Sequence, residues 1–303
     1  MMNNMKQVII GKEKIIEMLF IAYLCDGHIL LEGNPGVGKT KLARALTNSI
    51  EGEFKRIQFT PDVLPSDITG YCVLDRQTSE LKYKQGVAFC NFLLADEINR
   101  ASPRVQSSLL EAMEEKQVTV DGVIRKLPEP FIVIATQNSI EYQGTYPLPE
   151  AQLDRFFMKL VMEYPNFSEW EQILNLSEVE DPIVTLKEVA TIQELNELKE
   201  ALKQITVSQE IKGYIIEIAQ AIARREEVAI GVSPRGTIAL LKACKAKALL
   251  EGRHYVLPDD VQEMIVPVIG HRIVLADHEG WKNTKVENLI RTVIQTITVP
   301  IVE

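Results

Sequence analysis

The chain of 303 residues and 34.2 kDa is long enough for one large domain or two ordinary ones, and two is the expectation. Its content of 46% hydrophobic and 25% charged residues excludes a disordered or fibrous protein. The net charge of -9 argues against a nonspecific grip on nucleic acid, although a local basic groove stays open.

The apolar runs and the cysteines disfavour membrane and secreted classes of protein. The longest unbroken apolar stretch, residues 18–25, is shorter than the roughly 20 residues that span a bilayer. The cysteines Cys25, Cys72, Cys90 and Cys244 lie far apart, form no CxxC pair and follow no secretory leader. We expect reduced thiols, serving as small core residues, in a cytoplasmic protein without a membrane span.

The first half of the chain has the pattern of an α/β protein. Short apolar runs alternate with longer amphipathic stretches, as parallel strands alternate with crossover helices. We predict a doubly wound, mainly parallel sheet of five strands that are apolar on both faces. The strands are predicted at residues 28–33, 54–60, 92–97, 131–137 and 156–162.

Two β-hairpins are predicted as insertions in this scheme, at residues 71–84 and 117–127. The second is expected to turn at Asp121 and Gly122, because an Asp-Gly pair favours a tight turn. Neither hairpin is needed to close the sheet. They are either sites of partner contact or ordinary decorating loops.

After residue 164 the pattern changes to helices alone. Two segments have the Ser/Thr-x-x-Glu form that caps a helix reciprocally, residues 168–171 and 191–194. Ser233 and Pro234 predict the N-cap and first residue of another helix, which Gly252 is expected to end. We therefore predict a nucleotide-binding α/β core at residues 1–163 and an all-α lid domain at residues 164–303.

The segment GNPGVGKT, residues 33–40, fits G-x-x-x-x-G-K-[ST] at every position and lies between a predicted strand and a predicted helix. Its glycines allow successive backbone N–H groups to hold an anion at the positive end of the helix. Lys39 is suited to neutralise the β- and γ-phosphates, and the Thr40 hydroxyl to bind Mg²⁺. The segment predicts a nucleotide phosphate site.

A second part of that site is predicted where the strand FLLADE ends in Asp96 and Glu97. Asp96 is suited to bind Mg²⁺ through its water shell, while Glu97 can orient and deprotonate a water that attacks the γ-phosphate. A phosphotransferase would need an acceptor pocket as well. The pair of acids therefore favours hydrolysis.

Three further polar residues lie where a bound phosphate would organise them. Asn138 ends the next predicted strand, where it can hydrogen-bond the attacking water or the γ-phosphate. Arg155 precedes the last strand, and Arg235 lies in the first turn of a helix, which is unfavourable for a cation unless an anion is near. Both arginines are equally well explained as salt-bridge partners.

Five segments, in order and spacing, closely resemble the MoxR family of AAA+ ATPases, in the branch that carries a helix-2 insert. They are GNPGVGKT, LLADEINRASPRVQSSLLEAMEE, ATQNS, LPEAQLDRF and SPRG. The resemblance covers nearly the whole chain, and the long central block is its most specific part. It differs from the common family pattern at Ser139, where the family often has proline.

The resemblance implies a role for each candidate residue. Catalytic roles fall on Lys39, Glu97, Asn138 as sensor 1, Arg155 as the arginine finger and Arg235 as sensor 2. Metal binding falls on Thr40 and Asp96. Nucleotide contacts fall on Val8, Ile9, Ile10, Gly11, Asn34, Pro35, Gly36, Val37, Gly38, Lys39, Thr40, Lys41 and Arg235. Arg100 and Glu111 belong to the central block without a firm physical role, and a structural salt bridge is the safer interpretation.

By the same resemblance the protein is a Mg²⁺-dependent ATPase that forms a ring, commonly a hexamer. Such rings are thought to remodel partner proteins, often with von Willebrand A domains, or metal-containing complexes. Two alternatives stay open, a nucleic-acid motor and an adaptor that binds ATP with little turnover. The motor would have only Lys82, Lys84, Arg125 and Lys126 as obvious basic support, so nucleic acid is an unfavoured partner.

Overall fold

The computed structural model describes residues 1–138, 145–177, 183, 186–276 and 283–301. Ser139, the departure from the family pattern, lies outside them. Contacts divide the chain into two compact units. Unit 1 comprises residues 1–20, 28–148 and 160–194, and unit 2 comprises residues 21–27, 149–159 and 195–303. The simpler division between residues 163 and 164 stays a prediction.

The central sheet has five strands in the order β2-β5-β8-β1-β9. These strands are β1 (Ile29–Gly33), β2 (Phe54–Gln58), β5 (Phe92–Asp96), β8 (Ile132–Asn138) and β9 (Met158–Met162). The pairs β2–β5, β5–β8 and β1–β8 are parallel. Every residue of β5 is buried, as a strand covered on both faces requires. The predicted α/β fold and its five core strands are confirmed.

Both predicted hairpins are present. The first pairs β3 (Tyr71–Leu74) with β4 (Leu81–Lys84), and the second pairs β6 (Gln117–Val120) with β7 (Val123–Lys126). The second turns at Asp121 and Gly122, which have φ angles of 51° and 74°. The Arg125 guanidinium lies 3.9 Å from the centre of the Tyr83 ring, so the two hairpins contact each other.

Helices connect these strands and make up most of the second half of the chain. The first half contains α1 (Met2–Lys6), α2 (Glu13–Leu24), α3 (Lys39–Asn48), α4 (Pro65–Thr69), α5 (Pro103–Glu115) and α6 (Glu150–Leu153). The second half contains α7 (Phe167–Ser177), α8 (Ile192–Lys203), α9 (Gln209–Ala223), α10 (Pro234–Leu250), α11 (Pro258–Ile269) and α12 (Asn283–Thr296). Short 3-10 turns lie at Ile98–Arg100 and Gly270–Arg272.

The helix starts agree with the sequence in two of three cases. Thr191 and Glu194 cap α8 reciprocally, and Ser233 accepts a hydrogen bond from the backbone N–H of Gly236 at the start of α10. The cap predicted at Ser168 is wrong. Asn166 caps α7 instead, exchanging hydrogen bonds with Glu169, because asparagine caps a helix as well as serine does.

The helical character of the second half is confirmed, with one small addition. A short antiparallel pair joins β10 (Val228–Ile230) to β11 (Val274–Leu275). Within unit 2, α9, α10 and α11 enclose an apolar core of residues such as Ile218, Leu240 and Ile265. Apolar residues recur every three or four positions along these helices and therefore lie on one face of each helix, which is the face that forms the core.

The structure bears on two expectations from the sequence, one about membrane-spanning helices and one about the cysteines. In the described part of the chain, no helix is both long enough and apolar enough to cross a bilayer. All four cysteines are free thiols, but Cys25 and Cys72 are partly exposed while Cys90 and Cys244 are buried. Burial raises the pKa of Cys90 to about 12, so this thiol stays protonated and unreactive.

Candidate functional site

The phosphate loop follows β1 and leads into α3. Gly36 and Gly38 have φ angles of 81° and 94°, which L side chains rarely adopt, and a Cβ atom at either would meet nothing within 4 Å. Backbone conformation rather than crowding therefore requires glycine at both positions. Gly38 is the N-cap residue of α3, and the unpaired N–H groups of a first helical turn point out of the start of the helix, toward the loop.

Lys39, the first residue of α3, is buried with its ammonium group held inside the loop. Its Nζ donates to the carbonyls of Gly33 and Asn34 and, at 2.7 Å, to Oδ1 of Asn138. Gly33 is directly opposite Asn138 in the β1–β8 register, so neighbouring strands bring the loop and the asparagine together. A cation is thereby fixed where the anion-binding N–H groups point.

Asp96 lies at the end of β5 and accepts hydrogen bonds on both carboxylate oxygens. Oδ2 accepts from the Thr40 hydroxyl at 3.2 Å and from Nη2 of Arg56 at 2.8 Å, and Oδ1 accepts from the Thr136 hydroxyl at 2.6 Å. A hydroxyl and a carboxylate are the hard oxygen ligands that Mg²⁺ prefers. Thr40 and Asp96 therefore fit a magnesium ion in their chemistry and their proximity.

Glu97 follows Asp96 in a left-handed backbone conformation, with φ 58° and ψ 52°. This conformation costs a non-glycine residue on the order of 1 kcal/mol, and it lies where the strand ends and the 3-10 turn begins. Its carboxylate accepts from Asn138 at 3.1 Å, from Gln58 at 2.8 Å and from Arg100 at 3.2 Å. Three donors thus hold one carboxylate beside the phosphate loop.

Sequence reasoning missed Arg56, Gln58 and Thr136. Arg56 and Gln58 lie two positions apart on β2 and therefore on the same face, and Gln58 is directly opposite Asp96 in the register. Thr136 precedes Asn138 by two positions on β8 and is fully buried. The sequence contained a signal for Thr136, because a residue two positions before a functional residue on a strand lies on the same face of the sheet. The sequence did not show which strands are neighbours in the sheet.

The N-terminal segment of residues 8–11, predicted to contact the nucleotide, lies in unit 1. Val8 and Ile9 are buried, whereas Ile10 and Gly11 are partly exposed. Gly11 has a φ angle of 69°, and a Cβ atom there would lie 2.1 Å from Cδ of Glu169 in α7. The backbone of the segment is therefore packed closely against α7, and the Lys12–Glu169 ion pair at 3.3 Å joins the same two elements.

Arg155 and Arg235 belong to unit 2. Arg155 follows α6 and donates to the Ala151 carbonyl at 3.4 Å, and Arg235 is exposed in the first turn of α10. The structure thus brings together Lys39, Thr40, Asp96, Glu97 and Asn138 within unit 1. The roles of all the candidate residues, and the approach of the two arginines to a nucleotide, stay predictions.

A phosphate loop after β1, acidic residues at the end of β5 and a helical region later in the chain define a class, the nucleotide-hydrolysing P-loop proteins. Two family models agree. The ATPase family associated with various cellular activities (AAA) matches residues 28–158, and the AAA lid domain matches residues 220–291.

Comparison with individual proteins identifies the family within this class. The chain is 47% identical to the uncharacterised protein YeaC of Bacillus subtilis over 298 residues, covering 98% of this chain and 93% of that one. It is 38% identical to the chaperone MoxR1 of Mycobacterium tuberculosis, covering 98% and 81% of the two chains. The crystal structure of a putative ATPase from Cytophaga hutchinsonii superposes with a TM-score of 0.88 at 35% identity, covering 98% and 93%.

The chain belongs to the MoxR family of AAA ATPases. As an ATPase of this family it binds ATP, and the resemblance found in its motifs is confirmed.

Proposed function

We propose that this ATPase works as an oligomeric ring, hexameric as is common in the family, that uses Mg²⁺-dependent ATP hydrolysis to remodel a partner protein. The hydrogen-bonded chain Lys39–Asn138–Glu97 carries the proposal, because it joins a phosphate-binding cation to a candidate base through one amide. Residues 1–163 would form the nucleotide-binding core and residues 164–303 the lid.

The proposed division of labour follows from these contacts. Thr40 and Asp96 would hold Mg²⁺, which when bound would neutralise negative charge on the phosphates. Lys39 and the loop N–H groups bind the phosphates, and Val8, Ile9, Ile10 and Gly11 line the adenine.

Hydrolysis itself is assigned to Glu97 and Asn138. Glu97 takes a proton from the attacking water while the oxygen of that water forms a bond to the γ-phosphorus. The bond between this phosphorus and the β–γ bridging oxygen breaks, and ADP leaves. Asn138 orients that water. Gln58 and Arg100 fix the second carboxylate oxygen of Glu97, which keeps the base aimed at the loop.

Arg155 is assigned to the site of a neighbouring chain, and Arg235 to the nucleotide of its own chain. The name of MoxR1 as a chaperone supports a remodelling activity, and a client with a von Willebrand A domain is the partner proposed by family resemblance. Four free thiols support a reducing, cytoplasmic setting. The nucleic-acid alternative is weakened because Lys82 pairs with Asp75 at 2.5 Å and Arg125 lies over Tyr83.

Mixed rings test the proposal. Arg155→Ala should bind ATP almost normally but hydrolyse it 10³- to 10⁵-fold more slowly, roughly the contribution of an arginine finger. Adding Lys39→Ala chains, which cannot hold nucleotide but present an intact finger, should restore part of the turnover. The double variant Lys39→Ala/Arg155→Ala should not. Equal rescue by both chains, or full activity of Arg155→Ala alone, would contradict a finger acting on a neighbour.

A further inference from the structure

Arg272 lies at the end of the 3-10 turn Gly270–Arg272 with a side chain that is 4% exposed. Its Nε is 2.7 Å from Oδ1 of Asp154, the residue before Arg155. Its two terminal nitrogens donate to the carbonyls of Asp154 at 3.4 Å, Phe156 at 2.7 Å and Phe157 at 3.3 Å. One guanidinium therefore holds the main chain on both sides of Arg155.

A second side chain of the same turn contacts the same segment. His271 is buried, and its Nε2 lies 3.0 Å from the Phe156 carbonyl, which can only accept a hydrogen bond. Burial, reinforced by the charge of Arg272, holds the pKa of His271 well below its ordinary value, so the ring is neutral. The proton of that ring is therefore on Nε2.

The other side of Arg272 contacts the start of α10. A Cβ atom added at Gly236 would lie 3.1 Å from Cδ of Arg272, so the stem of the arginine packs against the backbone next to Arg235. Burial lowers the pKa of Arg272, Asp154 opposes that effect, and the positive charge of Arg235 adds to it. Arg235 is thus near enough to interact electrostatically with the group that holds the Arg155 segment.

We propose that Arg272 is a positioning residue that ties the Arg155 segment to the first turn of α10, so that Arg155 and Arg235 change position together. The inference rests on the proposed roles of these two arginines. A guanidinium is planar and rigid, and four of its five hydrogen bonds here reach partners on both sides of Arg155, while the fifth reaches the Val268 carbonyl in α11. A shift of α10 that accompanies nucleotide binding would therefore reach the finger offered to the next chain.

The first test replaces Arg272 by lysine, which keeps the charge but lacks the planar fork that reaches Asp154 and the carbonyls together. Gly236→Ala is a milder second variant that displaces the arginine stem. Each should bind ATP like the wild type in calorimetry. Turnover should fall about 10- to 100-fold, since small misplacement of a catalytic group has effects of that size.

Mixed rings separate positioning from a merely structural role. Lys39→Ala chains should rescue Arg272→Lys, and Lys39→Ala/Arg272→Lys chains should fail to rescue Arg155→Ala. Arg253→Lys is the matched control, because Arg253 forms another ion pair within unit 2, 2.6 Å from an Asp260 side chain that is 3% exposed. Lys39→Ala/Arg253→Lys chains should rescue Arg155→Ala as fully as Lys39→Ala does.

The outcomes that overturn the two proposals differ. Loss of activity in Arg155→Ala together with rescue by Lys39→Ala/Arg272→Lys overturns the role of Arg272 alone. Full activity in Arg155→Ala overturns the finger, and the role of Arg272 falls with it. If Arg272→Lys does not fold, Lys39→Ala/Gly236→Ala chains take its place, and their rescue of Arg155→Ala equally overturns the inference.

Discussion

At the scale of single residues, the candidate site is a chain of hydrogen bonds in which each acid and base has a defined neighbour. Glu97 accepts from Asn138, Gln58 and Arg100, and Asn138 in turn accepts from Lys39. Lys39 is buried among loop carbonyls, whereas Glu97 lies at the open end of the network. We therefore expect the two residues to affect different steps, nucleotide binding for the lysine and turnover for the glutamate.

Replacing Glu97 by glutamine should leave ATP binding intact and lower turnover at least about 100-fold, because only the proton acceptor is lost. Lys39→Ala should instead weaken nucleotide binding itself. Calorimetry and phosphate release measure the two effects separately. Glu115→Gln, at an exposed glutamate near the end of α5, is the matched control and should change neither. Equal loss of ATP binding in Glu97→Gln and Lys39→Ala would contradict this division.

At the scale of helices, strands and turns, two glycines differ in how closely other atoms pack against their backbone. A Cβ atom at Gly86, after the hairpin β3–β4, would lie 2.2 Å from the Ile68 carbonyl oxygen. A Cβ atom at Gly213, inside α9, would meet nothing within 4 Å. The same substitution should therefore have opposite effects in the two elements.

Gly213→Ala should raise the free energy of unfolding by about 0.5 to 1 kcal/mol, the difference between alanine and glycine in a helix interior. Gly86→Ala should lower it by about 1 to 3 kcal/mol, because the packed main chain has to move. Urea titration followed by circular dichroism measures both. A destabilised Gly213→Ala would mean that the glycine has a role in the packing of α9.

The turn Gly270–Arg272 should give the protein a pH-dependent stability. His271 is neutral in the folded state because burial, with Arg272 and Lys159 nearby, lowers its pKa well below 6.5. The unfolded chain then binds the extra proton as the pH falls below about 6.5, which favours unfolding. The free energy of unfolding should fall with decreasing pH by up to about 1.4 kcal/mol per pH unit from this residue.

The variant His271→Gln tests that account, since its amide N–H can still donate to the Phe156 carbonyl but does not titrate. Urea titrations above and below about pH 6.5, the ordinary pKa of histidine, should show that the free energy of unfolding depends less on pH in this variant than in the wild type. An unchanged slope would assign the acid sensitivity to other groups.

At the scale of the whole molecule, the question is whether one chain is a complete enzyme. The residues proposed to bind the nucleotide phosphates and activate water lie in unit 1, whereas Arg155 belongs to unit 2 and donates within it to the Ala151 carbonyl. If Arg155 serves a neighbouring chain as proposed, hydrolysis depends on assembly.

Turnover per chain should therefore rise with protein concentration as rings assemble, and then level off. Sedimentation velocity over the same concentrations, with ATP present, locates the passage from monomer to oligomer. Glu97→Gln should assemble similarly but stay inactive, which separates assembly from chemistry. Constant turnover per chain across that passage would show that each chain hydrolyses ATP alone.

The sequence by itself determined the family, the five core strands and the residues of the phosphate loop, because each rests on a local pattern. Alternation of apolar runs, the G-x-x-x-x-G-K-[ST] spacing and an acid pair ending a strand are readable from neighbours in the chain. Tertiary structure decided which distant residues complete the site. Arg56, Gln58 and Thr136 contact Asp96 or Glu97 because β2, β5 and β8 are neighbours in the sheet. The order of strands is set by tertiary packing and cannot be read from the periodicity of apolar residues. Arg272 and Asp154 are 118 positions apart, and only the tertiary packing within unit 2 brings them together.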